Sequence, residues 1–226
     1  MSLKILLVTA TSAEAEALKK IPEIRLMQDS FSFGGHEIKL LVSGVGSIST
    51  AWSMAKWLSV NPKPDLAVNA GIAGSYREEI LIGEVVIPVS DCFADTGIED
   101  GNDFITLSEA GMESPDKFPF TGEIILAGNK YITKAVSHLK PVKAITVNTV
   151  TGSAATIEKL KRKFNPDIET MEGGTFFYIC TGEKIPFLAI RAISNKVEPR
   201  DKSKWDIPLA VSNLSEKLKE IILMLD

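Results

Sequence analysis

The sequence has few of the side chains that bind metals or form disulfides. Its 226 residues include two histidines and two cysteines, and the histidines, His36 and His138, lie far apart in the chain. Cys92 and Cys180 are isolated among apolar residues, without CxxC spacing or a nearby histidine. We therefore expect two reduced core cysteines. The sequence implies neither a metal ion nor a cofactor.

Long apolar runs and clusters of basic residues are absent as well. No run reaches the ~18 apolar residues that a membrane-spanning helix needs, and the segment MSLKILLVTATSAE has no cleavage-like hydrophobic region. The formal net charge is −4, with no Lys/Arg cluster on a predicted helix face, so nucleic-acid binding has no electrostatic basis. We expect a cytoplasmic protein that binds neither a membrane nor a nucleic acid.

The chain does contain a regular alternation of strand-like and helix-like segments. Apolar runs without polar alternation predict buried strands, and we find no repeat, low-complexity tract or linker. We therefore predict one α/β domain over residues 1–226, built on a mixed sheet. The predicted strands are 4–9, 37–43, 65–70, 84–89, 144–149 and the run from 187. The predicted helices are one opening at Thr11 or Ser12 and those at 49–60, 129–139, 155–164, 175–180 and 214–225, with an irregular stretch over 92–120.

The segment PFLAIRAISN places polar residues after a buried strand. The apolar residues 187–190 lead into Arg191, Ser194 and Asn195, and in open α/β sheets ligands bind at the carboxyl ends of strands. The charged loop that follows contains Trp205 and suggests a mobile cover. The segment is thus either a ligand site, with Ser194 as a substrate-binding candidate, or an ordinary strand end followed by a solvated loop.

Two further segments are candidates for ligand contact. Glu169 and Glu172 precede an apolar helix, and a buried acid there needs either a backbone cap or a ligand with hydroxyl groups. Paired ribose hydroxyls suit a carboxylate, which can accept from both. Residues 71–74 (GIAG) either allow close backbone approach to a ligand or form a tight turn. The pair Gly44 and Gly46 lacks the third glycine of a dinucleotide fingerprint, so we expect no nucleotide cofactor.

Five motifs together resemble a known superfamily. VTATSAE, SGVG, NAGIAG, ETMEGG and RAISN occur in the order and spacing of the nucleoside phosphorylase and nucleosidase superfamily, over nearly the whole chain. Within it, NKVEPRDKSKW is most similar to the futalosine hydrolases of the alternative menaquinone route. The resemblance implies a three-layer α/β/α sandwich around a twisted mixed sheet, a nucleoside substrate, water as co-substrate, and a homodimer, which is usual in the nucleosidase branch.

The resemblance also implies roles for individual residues. Glu14 matches the glutamate that activates the attacking water, Met171 the methionine packed against the ribose, and Glu172 the glutamate that binds its hydroxyls. Three small or apolar positions match residues near the bound sugar and base: Val45, Ala73 and Gly74. Asn195 matches a position that is aspartate in adenine-specific nucleosidases.

The asparagine at position 195 favours a 6-oxopurine. An aspartic acid can protonate N7 of the leaving base as a general acid. Asparagine cannot titrate, but its NH2 group can donate to N7 and to an oxygen at C6, where leaving-group charge develops. We therefore expect release of hypoxanthine, and on the sequence alone Asn195→Asp should shift the preference toward adenine nucleosides.

Water and phosphate are the two possible nucleophiles. Phosphorylases usually neutralise phosphate with arginine, whereas Asn69 occupies the place before residues 71–74 where this type tends to carry it. Glu14 would also repel phosphate, so hydrolysis is favoured, with Arg191 supporting the site or pairing with a carboxylate. The alternatives are an adenine-type nucleosidase, a purine nucleoside phosphorylase, or a non-catalytic nucleoside-binding module, which would not need Glu14.

The loop after Asn195 is a candidate lid. We call residues 196–205 the lid segment, because its charge and its Trp205 suggest that it orders over the 5′ substituent of the nucleoside. Futalosine carries an aromatic carboxylate at that end. Arg200 or Lys202 would be available to pair with it.

Overall fold

The computed structural model describes residues 2–19, 25–26, 30–101, 103–128 and 133–225. The strands are β1 (Lys4–Thr9), β2 (Arg25–Leu26), β3 (Phe31–Phe33), β4 (His36–Val42), β5 (Leu66–Ser75), β6 (Val85–Asp91), β7 (Gly97–Asp100), β8 (Asp103–Thr106), β9 (Ile125–Leu126), β10 (Lys140–Thr146), β11 (Ile168–Thr170) and β12 (Phe187–Lys196). The helices are α1 (Ser12–Lys19), α2 (Ser47–Val60), α3 (Thr133–Val136), α4 (Ala154–Phe164), α5 (Gly173–Gly182) and α6 (Ile207–Leu223).

Ten strands form one mixed sheet. The order is β11-β10-β6-β12-β5-β1-β4-β3-β2, with β9 added beside β6. The pairs β12–β5, β5–β1 and β1–β4 are parallel, whereas β12–β6 is antiparallel. The strand β11 also pairs with β5, so five strands close on themselves and their ends converge. The prediction of a mixed sheet is confirmed.

Helices cover both faces of the sheet. On one face α6 packs against β12 and β5, with Leu214 and Leu218 buried. On the other face Met54 of α2 and Phe177 of α5 are both fully buried. The ring of Phe177 meets that of Phe187 on β12 edge to face, with 4.7 Å between centroids, a geometry that aromatic pairs prefer. The α/β/α sandwich implied by the resemblance is thus confirmed.

The two central strands are longer than predicted. Residues 71–74 belong to β5 and not to a turn after it, because β12 runs beside them to Lys196 and supplies backbone partners. For the same reason Arg191 lies within β12 and not at its end.

Other boundaries also differ from those predicted. The helix α6 begins at Ile207, seven residues before the predicted start, with the Asp206 side chain capping it by accepting from Leu209 N–H. The stretch 92–120 contains the β7–β8 hairpin, which the irregular composition did not indicate. The predicted helix 129–139 lies partly outside the described ranges, because residues 129–132 are not described. Of its described residues, those of α3 are helical.

The two cysteines agree with the prediction. Cys92 and Cys180 are free and buried, and burial raises the pKa of the Cys92 thiol to about 12. Within the described ranges no helix has the length and apolar character required to span a bilayer.

Candidate active site

A cavity of about 380 Å³ opens where the converging strands β5, β11 and β12 meet the first turns of α1 and α6. Every residue predicted to contact the substrate lines it except Arg200 and Lys202 of the lid segment. Its wall consists of Ala10, Thr11, Ala13, Glu14, Val45, Ile72, Ala73, Gly74, Val147, Val150, Glu169, Thr170, Met171, Glu172, Ser194, Asn195, Trp205, Ile207 and Val211. The fold therefore brings together residues from five separate motifs, while their individual roles stay predictions.

Glu14 is held in place by the start of α1. Its Oε2 accepts from the backbone N–H and from the hydroxyl of Thr11, both at 2.8 Å, and Thr11 Oγ1 in turn accepts from Glu14 N–H. This is a reciprocal capping box. Its Oε1 accepts from Ile72 N–H at 3.3 Å. A buried carboxylate is thus fixed in the cavity wall by three donors.

The glycine at position 71 makes room for that carboxylate. A Cβ added there would come within 3.1 Å of Glu14 Oε1 and 3.9 Å of the Arg191 guanidinium carbon. Both groups therefore approach the β5 backbone at Gly71, where no side chain is in the way. Gly74 has a similar effect for the other end of the cavity, because a Cβ there would come within 3.2 Å of Asn195 Nδ2.

Glu172 lies just before α5 and reaches the turn before α2. Its Oε1 accepts from Gly46 N–H at 2.8 Å, which the positive φ of Gly46 (88°) turns toward it. Glu172 also borders the cavity. Burial raises the pKa of Glu172, while the Gly46 N–H and the Arg191 charge oppose that rise.

Glu169 does not need a ligand as its partner. Its Oε2 accepts from the Tyr76 hydroxyl at 2.7 Å and its Oε1 from Thr151 N–H at 3.0 Å. Burial and the Glu169 charge raise the Tyr76 pKa above its usual value. For Glu169, the structure therefore shows protein donors in place of the ligand that the sequence left open. Glu172 has a backbone donor at one of its oxygens.

Arg191 lies under the cavity and is 1% exposed. Its guanidinium donates to the backbone oxygens of Asn69 and Ile190, each at 2.9 Å, and to the Asn69 side-chain oxygen. Burial lowers the Arg191 pKa, while the negative charges of Glu172, Asp91 and Glu14 raise it. The arginine therefore supports the site from behind and does not line the cavity.

Asn69, at a position where phosphorylases tend to carry arginine, does not reach the cavity. Its side chain is buried and is not part of the cavity wall. Its Nδ2 donates to Val8 O at 3.1 Å, and its Oδ1 accepts from Arg191. From β5, the Asn69 side chain therefore connects Val8 on β1 to Arg191 on β12. It gives no direct information about phosphate binding.

The N-terminus of α5 rests on a buried polar ladder. Asp91 Oδ1 accepts from the Thr146 hydroxyl at 2.9 Å, and Thr146 Oγ1 accepts from Gly174 N–H at 2.6 Å. Any side chain at Gly173 would overlap Asp91 Oδ2. Burial raises the Asp91 pKa to about 7, although Thr146 and Arg191 oppose the rise. The ladder fixes the helix start that carries Glu172.

A β-bulge places Ser194 and Asn195 on the same side. In the pairing of β12 with β5, Ile193 is opposite Ala73 and Asn195 is opposite Gly74, so Ser194 is an extra residue. Successive residues of a regular strand point to opposite faces, whereas a bulge redirects them. Both side chains therefore line the cavity.

The lid segment meets the cavity through Trp205 alone. The Trp205 ring lies in the wall, and the Arg200 guanidinium carbon lies 5.4 Å from its centre. Arg200 is exposed and is not in the wall. Its backbone N–H donates to Gly152 O at 3.1 Å. The prediction of Arg200 as a cavity residue is therefore corrected to a residue that contacts the lid tryptophan from outside.

Several wall residues were not predicted. Ile207 and Val211 lie in the first seven residues of α6, which the sequence pattern did not assign to the helix. Val147 and Val150 lie in a segment that matches the superfamily only loosely, so neither could be assigned a role. The T-x-x-E spacing of Thr11 and Glu14 was visible as a capping signal. It could have placed Thr11 in the site.

The charged side chains of the described cavity wall are all acidic. Its ionisable side chains, within the part of the chain that the structure describes, are Glu14, Glu169 and Glu172, and it includes no lysine or arginine. Such a cavity favours a neutral or cationic group and disfavours a free dianion.

Comparison with known proteins agrees with this geometry. The family model described as "Phosphorylase superfamily" matches residues 4–223. The chain belongs to this superfamily. It is 29% identical to the futalosine hydrolase of Streptomyces coelicolor over 192 residues, covering 83% of this chain and 79% of the relative. It is 30% identical to that of Acidothermus cellulolyticus over 225 residues, covering 95% and 88%.

Nucleosidases of the adenine type are similar as well. The 5′-methylthioadenosine/S-adenosylhomocysteine nucleosidase of Buchnera aphidicola is 29% identical over 214 residues, covering 91% of this chain and 86% of the relative. The Neisseria meningitidis nucleosidase in complex with methylthio-immucillin-A has a TM-score of 0.80 at 17% identity, with coverage of 98% and 99%. The Helicobacter pylori futalosine hydrolase has a TM-score of 0.76 at 16% identity, with coverage of 97% of each chain. These two structural matches establish the fold.

The raised pKa of Glu172 predicts a pH-dependent gain in stability for Glu172→Gln. Below about pH 4.3, the ordinary value of a glutamate, the carboxyl is neutral in both states and the variants should be alike. As pH rises through the higher folded-state pKa, ionised Glu172 destabilises the wild type, whereas glutamine does not titrate. The Tm of Glu172→Gln should therefore exceed that of wild type by a margin that grows above pH 4 and becomes constant once the pH exceeds the folded-state pKa, at ~2–4 °C per kcal/mol.

Thermal melts of the ligand-free protein across that pH range provide the measurement. The matched control is Glu79→Gln, which removes an exposed carboxylate from the loop after β5, outside the cavity wall. If the Tm difference between Glu172→Gln and wild type does not change with pH, or decreases as pH rises, the raised pKa of Glu172 is contradicted.

Proposed function

We propose that this protein is a purine-nucleoside hydrolase that breaks the N-glycosidic bond of futalosine and releases hypoxanthine. The observation that carries the proposal is the cavity in which Glu14, Glu172 and Asn195 converge without a cation in the wall. It fits the uncharged ribose and base of a nucleoside, with water as co-substrate, while the 5′ carboxylate of futalosine would extend toward the lid segment. Similarity to named futalosine hydrolases supports the substrate, which would place the chain in menaquinone biosynthesis.

The proposed mechanism assigns the attacking water to Glu14. As the bond between ribose C1′ and the base breaks, positive charge develops on the sugar and negative charge on the base. The Glu14 carboxylate orients water and takes its proton while the water oxygen bonds to C1′. The three donors that fix Glu14 hold it in position before the substrate arrives, which lowers the cost of orientation.

The ribose would be held from the α5 side of the cavity. Glu172 borders the cavity, and its carboxylate can accept hydrogen bonds from ribose hydroxyls. Met171 offers an apolar surface for the sugar ring. Val45, Ala73 and Gly74 are small or apolar wall residues that leave room for the sugar and base. The ionised carboxylates would also stabilise the positive charge that develops on the sugar.

The leaving base would be held by Asn195. One hydrogen of its NH2 group has no acceptor within the described residues, and the side chain borders the cavity. This one hydrogen, shared between N7 and the C6 oxygen, stabilises the charge that develops on hypoxanthine. An adenine-type nucleosidase is the second candidate, favoured by the similarity to the Buchnera enzyme, but an adenine amino group would face a donor.

Two further properties complete the proposal. Ile48 and Trp52 lie one turn apart on α2 and are 84% and 69% exposed, and they follow Val45 at the cavity. An exposed apolar stripe of this kind supports an association surface, in agreement with the homodimer implied by the resemblance. The buried free thiols of Cys92 and Cys180 support a reducing, cytoplasmic location.

The first test separates hydrolysis from phosphorolysis. We expect purine release from futalosine or inosine at the same initial rate in phosphate-free buffer and in millimolar phosphate, because the cavity wall has no cation to bind the dianion. The measurement is free-base release together with analysis of the sugar product. Formation of ribose 1-phosphate would contradict hydrolysis, and absence of base release from any purine nucleoside would contradict an enzymatic role.

The second test concerns the lid segment. Because Trp205 lies in the wall and Arg200 stacks on it, Trp205→Ala should lower kcat/KM for futalosine by at least ~10-fold. Inosine, which has only a hydroxyl at the 5′ position, should be affected much less. Trp205→Phe is the matched control and should retain most futalosine turnover. Equal losses on both substrates would assign the segment a structural role.

A further inference from the structure

The bulge at Ser194 surrounds the Asn195 amide with protein partners. Its Nδ2 donates to the backbone oxygen of Lys196 at 2.9 Å, and its Oδ1 accepts from the Ser194 hydroxyl at 2.8 Å. The Asn195 and Ser194 side chains are 7% and 2% exposed. The amide therefore has one partner at each end before any ligand binds.

The two partners differ in what they can select. A hydroxyl can donate or accept, so Ser194 is compatible with either orientation of the amide. A backbone carbonyl can only accept. The Lys196 oxygen therefore requires NH2 at its side, because the reverse orientation would bring two buried oxygens together. The backbone of the bulge determines which end of the amide is the donor.

We propose that the main-chain oxygen of Lys196 is the specificity determinant of this site, because it fixes Asn195 as a hydrogen-bond donor toward the base. The inference rests on the proposed nucleoside hydrolysis and deepens it. The first hydrogen of Nδ2 is held by Lys196 O, and the second remains for the ligand. The site thus takes a purine whose acceptors at N7 and C6 can share this one hydrogen.

The proposal changes the result expected for Asn195→Asp. An ionised aspartate would put an oxygen about where Nδ2 lies, 2.9 Å from Lys196 O, and would present only acceptors to the base. A protonated aspartate has one O–H, which Lys196 O would take, so its lone pairs would again face the base. Neither form donates to N7, and the shift toward adenine expected from the sequence alone should not occur.

The decisive experiment compares wild type, Asn195→Asp and Asn195→Ala on inosine and adenosine between pH 5 and 9. For Asn195→Asp we expect kcat/KM on inosine to fall by ~10²–10³, to the level of Asn195→Ala. Its adenosine activity should not exceed that of Asn195→Ala at any pH. A rise in adenosine hydrolysis above wild type would overturn the proposal, because the new acid would then be donating to the base.

Ser194→Ala tests which partner sets the orientation. Because Lys196 O remains, the ratio of inosine to adenosine kcat/KM should stay within ~3-fold of wild type even if both values fall. Ser194→Thr should restore the lost activity, since it returns a hydroxyl. Inversion of the ratio in Ser194→Ala would assign the selection to the hydroxyl and overturn the role of the carbonyl.

A measurement without substrate separates this proposal from the proposed function. An aspartate facing Lys196 O should have a pKa above the ordinary ~3.9. Relative to Asn195→Ala, Asn195→Asp should therefore be as stable or more stable near pH 4 and lose Tm as pH rises through the folded-state pKa. A pH-independent Tm difference would overturn the proposal even if the wild type hydrolyses inosine. Loss of the proposed function would instead appear as a wild type that releases no purine.

Discussion

The buried charge of Arg191 is the constraint on which the rest of the site depends. A guanidinium 1% exposed in the middle of a central strand is tolerated only if its hydrogen bonds are satisfied and opposite charges lie near. Asn69 and the backbone of β5 and β12 satisfy its hydrogen bonds. The carboxylates of Glu14, Glu172 and Asp91 supply the opposite charge through space.

This arrangement links stability and function. Glu14 and Glu172 approach the arginine from different helices, and both border the cavity. Asp91 lies on the other side and supports the start of α5 through Thr146 and Gly174. The same cation that stabilises these acids in the fold is shielded from the substrate, so the cavity itself stays anionic. Because Arg191 is buried outside the wall and the acids line it, the cavity favours the positive charge that develops on the sugar in the transition state.

The sequence was a good guide wherever a local pattern determines the structure. Unbroken apolar runs identified β1 and the first half of β12, and the motif residues Glu14, Met171 and Glu172 were placed in one site through the resemblance. Effects that depend on tertiary pairing were not predictable. Residues 71–74 suggested a turn, yet strand β12 holds them in β5.

The β-bulge had no sequence signal, because Ser194 and Asn195 would suit a regular strand equally well. The role of Asn69 was misjudged for a related reason. Its partner, Arg191, lies 122 positions away in the chain, and only the folded sheet brings the two together. Base selection by the Lys196 carbonyl depends on backbone geometry that no residue type reveals.

The central claim is that Glu14 activates water in a cavity built for an uncharged ribose and base. Its most direct test is Glu14→Gln, measured as both turnover and nucleoside affinity, with Glu16→Gln on the exposed side of the same helix as control. The account predicts that Glu14→Gln lowers kcat by ~10²–10⁴, keeps the nucleoside Kd within a few-fold, and that Glu16→Gln retains wild-type turnover. An active Glu14→Gln enzyme, or an inactive Glu16→Gln enzyme that still folds, would contradict it.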